Sequence, residues 1–149
     1  VKLSLADSDS IPILENPKDY PKLCAQLLRN PRPFDLIKYK DGVTISMTKS
    51  IYYANDVYVV FEIENGSQID FEINTLNLYK VNGNNKRKSS YQELLLLPIF
   101  QFQRPTVVPK SEQVQFVQVY PKFTLGAREG LLVKLEEFNG ARDLVVKPR

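Results

Sequence analysis

The chain has no histidine and no tryptophan, and it has a single cysteine and a single methionine among 149 residues. Without histidine there is no imidazole metal site and no Ser–His or Cys–His nucleophile pair. A lone Cys24 excludes an intrachain disulfide, so cysteine pairing does not fix the compartment. Apolar runs such as Leu94 to Leu97 fall far short of the ~20 residues that cross a bilayer as a helix. Neither sign of charge dominates: 20 basic against 17 acidic residues give a net charge of +3. So mild an excess does not call for a nucleic-acid partner. There is no phosphate-cradling glycine loop, no Gly-x-Ser-x-Gly and no Cys-x-x-Cys. The expectation is a protein that is not an enzyme, with no catalytic residue, no metal and no cofactor.

What is present is a β pattern. The 43% hydrophobic and 25% charged content suits one globular domain. Val1 to Asn16 is polar and irregular and reads as an arm. Asp19, Pro21 and Arg29 supply the cap, first turn and last turn of a helix over about Pro21–Arg29, with Leu23, Leu27 and Leu28 as its apolar stripe. From Gly42 onward the period is two. Val43, Ile45 and Met47 form one strand, and Val57, Val59, Phe61 and Ile63 the inner face of a second.

Phe71 and Ile73 begin a third strand, but Leu76 and Leu78 continue in the opposite phase, which implies a bulge or a change of sheet near Asn74-Thr75. Glu93 to Leu97 reads as a buried run ended by Pro98. Val114 and Phe116, then Val117 and Val119, suggest a second phase shift. Leu131, Val133 and Leu135 alternate, and Asn139-Gly140 turns a hairpin into Leu144 and Val146. The fold expected is an all-β, antiparallel immunoglobulin-like β-sandwich of about seven strands, preceded by one short helix. Residues 1–40 would be the arm and helix, and residues 41–149 the sandwich domain.

Few residues invite chemistry. Lys86, Arg87 and Lys88 follow the loop Asn82-Gly83-Asn84-Asn85, and could meet phosphate or an acidic partner. Three charges make a small footprint, so direct nucleic-acid binding is not expected. Glu62, Glu64 and Glu72 could share a sheet face, where a solvated face is the simpler reading. Asn65-Gly66-Ser67 fits a glycosylation acceptor and equally a turn. Glu136-Glu137 beside Arg142 reads as a charge pair around the hairpin. Cys24 reads as a small core residue. The stretch Gln101 to Lys110 is long for a hairpin loop, and its Phe102 and Arg104 are the residue types that binding hot spots favour. Phe102 closing the core is the competing reading.

Four segments, in order, carry a family resemblance. Asp56 to Ser67 resembles the strand and N-x-S turn of the TraN proteins of Bacteroides-type conjugative transposons, and Ile69 to Ile73 is similar to the strand that follows there. Lys86-Arg87, Gln92-Glu93 and Pro98 resemble a K-R…Q-E…P stretch. Pro121 to Leu125, with Glu136 to Arg142, resembles the ending P-K-F-T-I…E-x-N-G-G-R. Ala141 stands in place of the second glycine, and Asp143 where a histidine is usual.

The resemblance implies a non-catalytic structural subunit of a conjugative DNA-transfer apparatus of the type IV secretion kind, periplasmic or associated with the outer membrane. Its partners would be other subunits of that complex, with self-association included and no small-molecule substrate. The chain would then be the C-terminal part of a longer protein, or a single-domain relative. The alternative is an extracytoplasmic ligand- or glycan-binding module, with Tyr52, Tyr53 and Tyr58 as an exposed aromatic array.

Overall fold

The computed structural model describes residues 16–82 and 91–148. The chain runs α1 (Tyr20–Arg29), β1 (Phe34–Lys40), β2 (Val43–Thr48), β3 (Ile51–Tyr53), β4 (Asp56–Asn65), β5 (Phe71–Asn82), β6 (Gln92–Leu96), β7 (Phe100–Phe102), β8 (Val107–Val108), β9 (Glu112–Pro121), β10 (Glu129–Glu137) and β11 (Leu144–Val146). Among the described residues this is an all-β, two-sheet fold preceded by one short helix. The first sheet has the order β1-β2-β4-β9-β7, with β3 also on β4; the second has the order β11-β10-β5-β6, with β8 also on β5. Every pairing is antiparallel.

The period-two residues of both sheets meet in one apolar cluster. Val43, Ile45, Val57, Val59, Phe61 and Ile63 come from the first sheet, and Leu76, Leu78, Leu131, Val133 and Leu135 from the second. Phe61 stacks on Phe116 across β4 and β9, with ring centroids 5.4 Å apart. Each such buried side chain contributes roughly 1.5–3 kcal/mol.

The helix forms where the sequence places it. The Asp19 carboxylate accepts from the Lys22 backbone N–H at 3.4 Å, Pro21 lies in the first turn, and the Asn30 side chain closes the end by donating to the Gln26 carbonyl. Its buried stripe, Leu23, Cys24 and Leu27, covers Tyr58, Val60, Val117 and Val119 on the outer face of the first sheet. That sheet is therefore buried on both faces where the helix lies on it.

This burial explains a misread pattern. Val114, Phe116, Val117 and Val119 lie on an unbroken register against β4, so β9 has no phase shift. Val117 and Val119 are apolar because the helix lies on them, while Gln118 and Tyr120 face the other way, into the inter-sheet side. Gln118 is fully buried; it accepts from Gln101 at 2.8 Å and donates to the Tyr120 hydroxyl at 2.5 Å. The other shift is real. Between Glu136 and Glu137 the pairing jumps from Thr75 to Ile73, which leaves Asn74 as the extra residue of a bulge in β5.

The seven strands expected from alternation all exist, and four more are present, for a total of eleven among the described residues. Residues 34–40, grouped above with the arm and helix, form β1 at the edge of the first sheet. The turn Asp41-Gly42, with φ 53 and 83, joins β1 to β2 as a two-residue hairpin. A Cβ at Gly42 would lie 2.9 Å from the Ser67 Cβ, so glycine is needed there for space as well as for φ. The stretch 101–110 is not one loop: it holds the end of β7 and the short β8, which cap sheet edges with too few residues to show alternation. Asn65-Gly66 does turn the chain, but β4 and β5 do not pair; residues 66–70 cross from one sheet to the other.

Tyr58 lies beneath the helix with its hydroxyl buried and without a hydrogen-bond partner, and its packing pushes the phenol far above its ordinary pKa. Such a group costs about 1–3 kcal/mol. Tyr58→Phe is therefore expected to raise stability by about 1 kcal/mol, read as a higher urea midpoint at unchanged slope. A lower midpoint would show that the hydroxyl is satisfied in solution.

Candidate interaction surface

Arg142 organises one end of the molecule. Its side chain, 12% exposed, forms a fork onto Glu137, with Nη2 to Oε2 at 2.7 Å and Nε to Oε1 at 3.0 Å. Nη1 donates to the Ser67 hydroxyl at 2.8 Å, Nη2 donates to the Asp70 carbonyl at 3.0 Å, and the guanidinium lies 5.2 Å from the Phe71 ring centroid. One side chain thus ties the β10–β11 hairpin to the crossing between the sheets. The charge pair read from Glu137 and Arg142 is present, while Glu136 instead accepts from the Thr75 hydroxyl at 2.9 Å.

Asn65 completes the crossing. It is fully buried, and its amide donates to the Ile69 carbonyl at 2.8 Å and the Val108 carbonyl at 3.0 Å. Its oxygen accepts from the Ser67 N–H and hydroxyl. With its amide so engaged it is not a glycan acceptor in the folded protein, and the Asn-x-Ser pattern is a structural turn.

The other candidates scatter. Lys86, Arg87 and Lys88 lie outside the described residues. Phe102 ends β7, pairs with Val117 and packs on the cluster under the helix. Arg104 is half-buried: Nη1 donates to the Pro105 carbonyl at 3.2 Å, and its buried Nε has no partner. Glu62 and Glu64 lie on the outer face of the first sheet, with Glu62 accepting from Gln115 at 2.7 Å, whereas Glu72 lies on β5 in the second sheet. The three carboxylates share no face. Among the described residues no group of three or more His, Cys, Asp or Glu is placed to hold a metal.

Tyr52, Tyr53 and Tyr58 do not form an array. Tyr58 is fully buried, Tyr53 packs beside the helix, and Tyr52, opposite Val57, points to the other face. Tyr52 lines a cleft of about 390 Å³ with Asp35, Lys49, Leu125 and Glu129. Cys24 is buried in the helix cluster, which pushes its thiol up to about 12, far from a reactive thiolate.

The apolar surface lies elsewhere, where alternation gave no warning. The run Leu94 to Leu97 was expected to be buried; instead β6 is the outermost strand of its sheet. Leu94 is 57% exposed, Leu95 42% and Leu97 67%, and Ile99 beyond Pro98 is 46% exposed. A run of leucines reports apolarity but not how many sides are covered. β6 is held to the sheet by Glu93, which accepts from Lys134 at 2.9 Å and from the Tyr91 hydroxyl at 2.7 Å, while Lys134 also lies 4.8 Å from the Tyr79 ring centroid. Both hydrogen bonds hold the Glu93 carboxyl below its usual range.

A family model described as "Domain of unknown function (DUF4138)" matches residues 25–148. The chain belongs to that family. No curated protein and no solved structure matches it. The DUF4138 match begins inside α1, and so takes in β1, the Arg142 fork, the buried Asn65 and the β6 edge. Asp41-Gly42 between two strand-like runs was the available signal for β1.

Arg142→Lys would keep the charge but lose the two-pronged fork. It is expected to cost about 2–3 kcal/mol, less than the roughly 3–5 kcal/mol of a broken buried pair because the charge is kept, measured by urea unfolding. The Glu137 carboxyl, held below its ordinary 4.5 chiefly by its hydrogen bonds from Arg142, adds a pH signature. A depressed carboxylate stabilises fully above its unfolded value and loses that contribution as pH falls through the lower, folded value. The urea midpoint should therefore hold down to about pH 5 and fall below about pH 4. In Glu137→Gln the acid fall should be shallower; an acid limb of unchanged steepness would contradict the assignment.

Proposed function

We propose that this chain is a non-catalytic structural subunit that works by binding other proteins, within a conjugative DNA-transfer apparatus of the type IV secretion kind in the cell envelope. On this reading it folds as an immunoglobulin-like sandwich and acts in the periplasm or at the outer membrane. The binding part is carried by one observation, the exposed apolar residues Leu94, Leu95, Leu97 and Ile99 along and just beyond the β6 edge. Such edges are templates for partners, and natural proteins otherwise blunt them.

The conjugation part rests on the resemblance to TraN proteins. In its support, two of the four segments that carry the resemblance interlock: Ser67 of the first meets Arg142 and Glu137 of the last through the fork described above. Residues that recur together for a structural reason are what a shared fold would keep. Among the described residues no helix is long and apolar enough to cross a membrane.

A ligand- or glycan-binding module is the second reading, favoured only by the cleft beside Tyr52. Fractionation of donor cells, with a transfer assay on a deletion strain, decides between them. The expected result is envelope localisation, co-purification with other transfer subunits, and loss of transfer on deletion. Cytoplasmic localisation or undiminished transfer would overturn the proposal, and a glycan-array signal lost on Tyr52→Ala would favour the module.

A further inference from the structure

Three of the four outer sheet strands carry a guard. β1 places Asp35, Lys38 and Lys40 along its length. β11 is three residues long and runs directly into Lys147-Pro148. β7 is also three residues long, and the Tyr20 ring of the helix lies 5.5 Å from its Phe100 ring. These are the usual means of discouraging strand addition: charge, shortness, proline and cover. β6 also runs toward a proline, Pro98, but at five residues it is longer than β7 and β11, and Leu94–Leu96 carry no charge, proline or cover; its single charge, Glu93, is held by Lys134 on its own sheet. Its far side has no strand partner among the described residues.

The sequence of β6 fits one occupant in particular. In its sheet Leu94 and Leu96 share the face of Leu78 and Lys80, and Glu93 and Leu95 share the face of Tyr79 and Val81. A two-fold axis perpendicular to the sheet preserves faces, so it must pass through a residue of the strand, and residues of one face then oppose each other. With Leu95 on the axis, Leu94 meets Leu96 of the second copy, Leu95 meets Leu95, and Glu93 meets Leu97. The three strand leucines Leu94, Leu95 and Leu96 each gain an apolar neighbour, no carboxylate opposes another, and Glu93 meets only Leu97, beyond the end of the strand. Moving the axis to Leu94 would set two strand leucines against polar residues, Leu95 against Glu93 and Leu96 against Gln92, and leave only Leu94 with an apolar opposite.

We propose that β6 is a homodimerisation edge, pairing antiparallel with β6 of a second copy of this chain about a two-fold axis through Leu95. The pairing extends the second sheet across both copies, and backbone hydrogen bonds supply affinity while the leucine register supplies specificity. It names one partner for the edge on which the proposed binding role rests. It is tested on purified protein without donor cells, so its failure and that of the conjugation role are separable.

The experiment combines sedimentation of the full chain over a range of concentrations with cysteine cross-linking. The expected result is a dimer that dissociates on dilution. Leu95→Lys, which sets two ammonium groups face to face on the axis, should give a monomer at every concentration while keeping the wild-type unfolding transition. Leu95→Cys should cross-link on mild oxidation, because opposed residues of an antiparallel pair lie within about 4.5–5.5 Å. Leu97→Cys should not, since the two copies of that position lie several residues apart along the strands. Cys24 is buried and is common to all the variants. A wild-type monomer throughout, a dimer that survives Leu95→Lys, or equal cross-linking at both positions would overturn the proposal. So would a dimer seen only after removal of residues 1–15, since that would make the N-terminal segment the occupant of the edge.

Discussion

The fold depends on a single cation that closes the gap between its sheets at one end. Chain crossing from β4 to β5 leaves several backbone groups of residues 65–70 without ladder partners, and these must be satisfied locally. Asn65 takes the Ser67 N–H and the Ile69 carbonyl, and Arg142 takes the Asp70 carbonyl. Lysine has the charge but not the geometry: only a planar fork can hold both Glu137 oxygens and still spare a donor for Ser67. The fork also fixes the exit of the hairpin at Asn139, whose φ of 56 is typical of asparagine in a tight turn. A surface charge pair would be worth little. This pair matters because its side chains are only 12% and 9% exposed and every prong has an acceptor.

At the opposite face the constraint is packing. The helix gives the first sheet a second buried side, which makes β4 apolar on both faces, with Tyr58 and Val60 under the helix and Val57, Val59 and Phe61 toward the other sheet. Two polar consequences follow from so much burial. Gln118 and Tyr120 solve theirs by hydrogen-bonding each other and Gln101. Tyr58 does not, and its ring is retained for the volume it fills and the edge-on contact with Tyr20, 6.4 Å between centroids. The helix start is tied to the same region by Lys18, which reaches the buried Asp56 at 3.2 Å. Helix and first sheet therefore share one buried cluster.

How much of this was legible in the sequence depends on whether one local rule governed each segment. The helix was legible because Asp19, Pro21 and Arg29 each mark a terminus. The bulge at Asn74 was legible because a period-two pattern that changes phase inside one strand needs an extra residue. Val117 and Val119 gave the same signature for a different reason, since burial on both faces also breaks alternation, and one sequence cannot separate the two. The short strands β3, β7 and β8 span two or three residues and carry no period at all. As for the site, the charge pair Glu137–Arg142 was readable across its turn, but its reach to Ser67, 75 residues away, was not.

The β6 edge shows why exposure is harder to read than apolarity. Four consecutive leucines are what a central, doubly covered strand looks like, and a central position would have left them nothing to bind. Position in the sheet is decided by the order of pairing, and that order is set by β5, whose two sides are taken by β10 and β6 over the same residues, Leu78 to Asn82. The chain leaves β6 through Pro98, which cannot donate to a ladder, and crosses to the first sheet to become β7. The proline thus bounds the free edge on its C-terminal side without guarding the leucines before it. Solvating that edge alone is unfavourable for each exposed leucine by up to roughly 1.5–3 kcal/mol relative to full burial. An edge left unguarded where the other outer strands are guarded is best understood as a surface the fold keeps for pairing, and the register of β6 on itself gives that pairing a definite geometry.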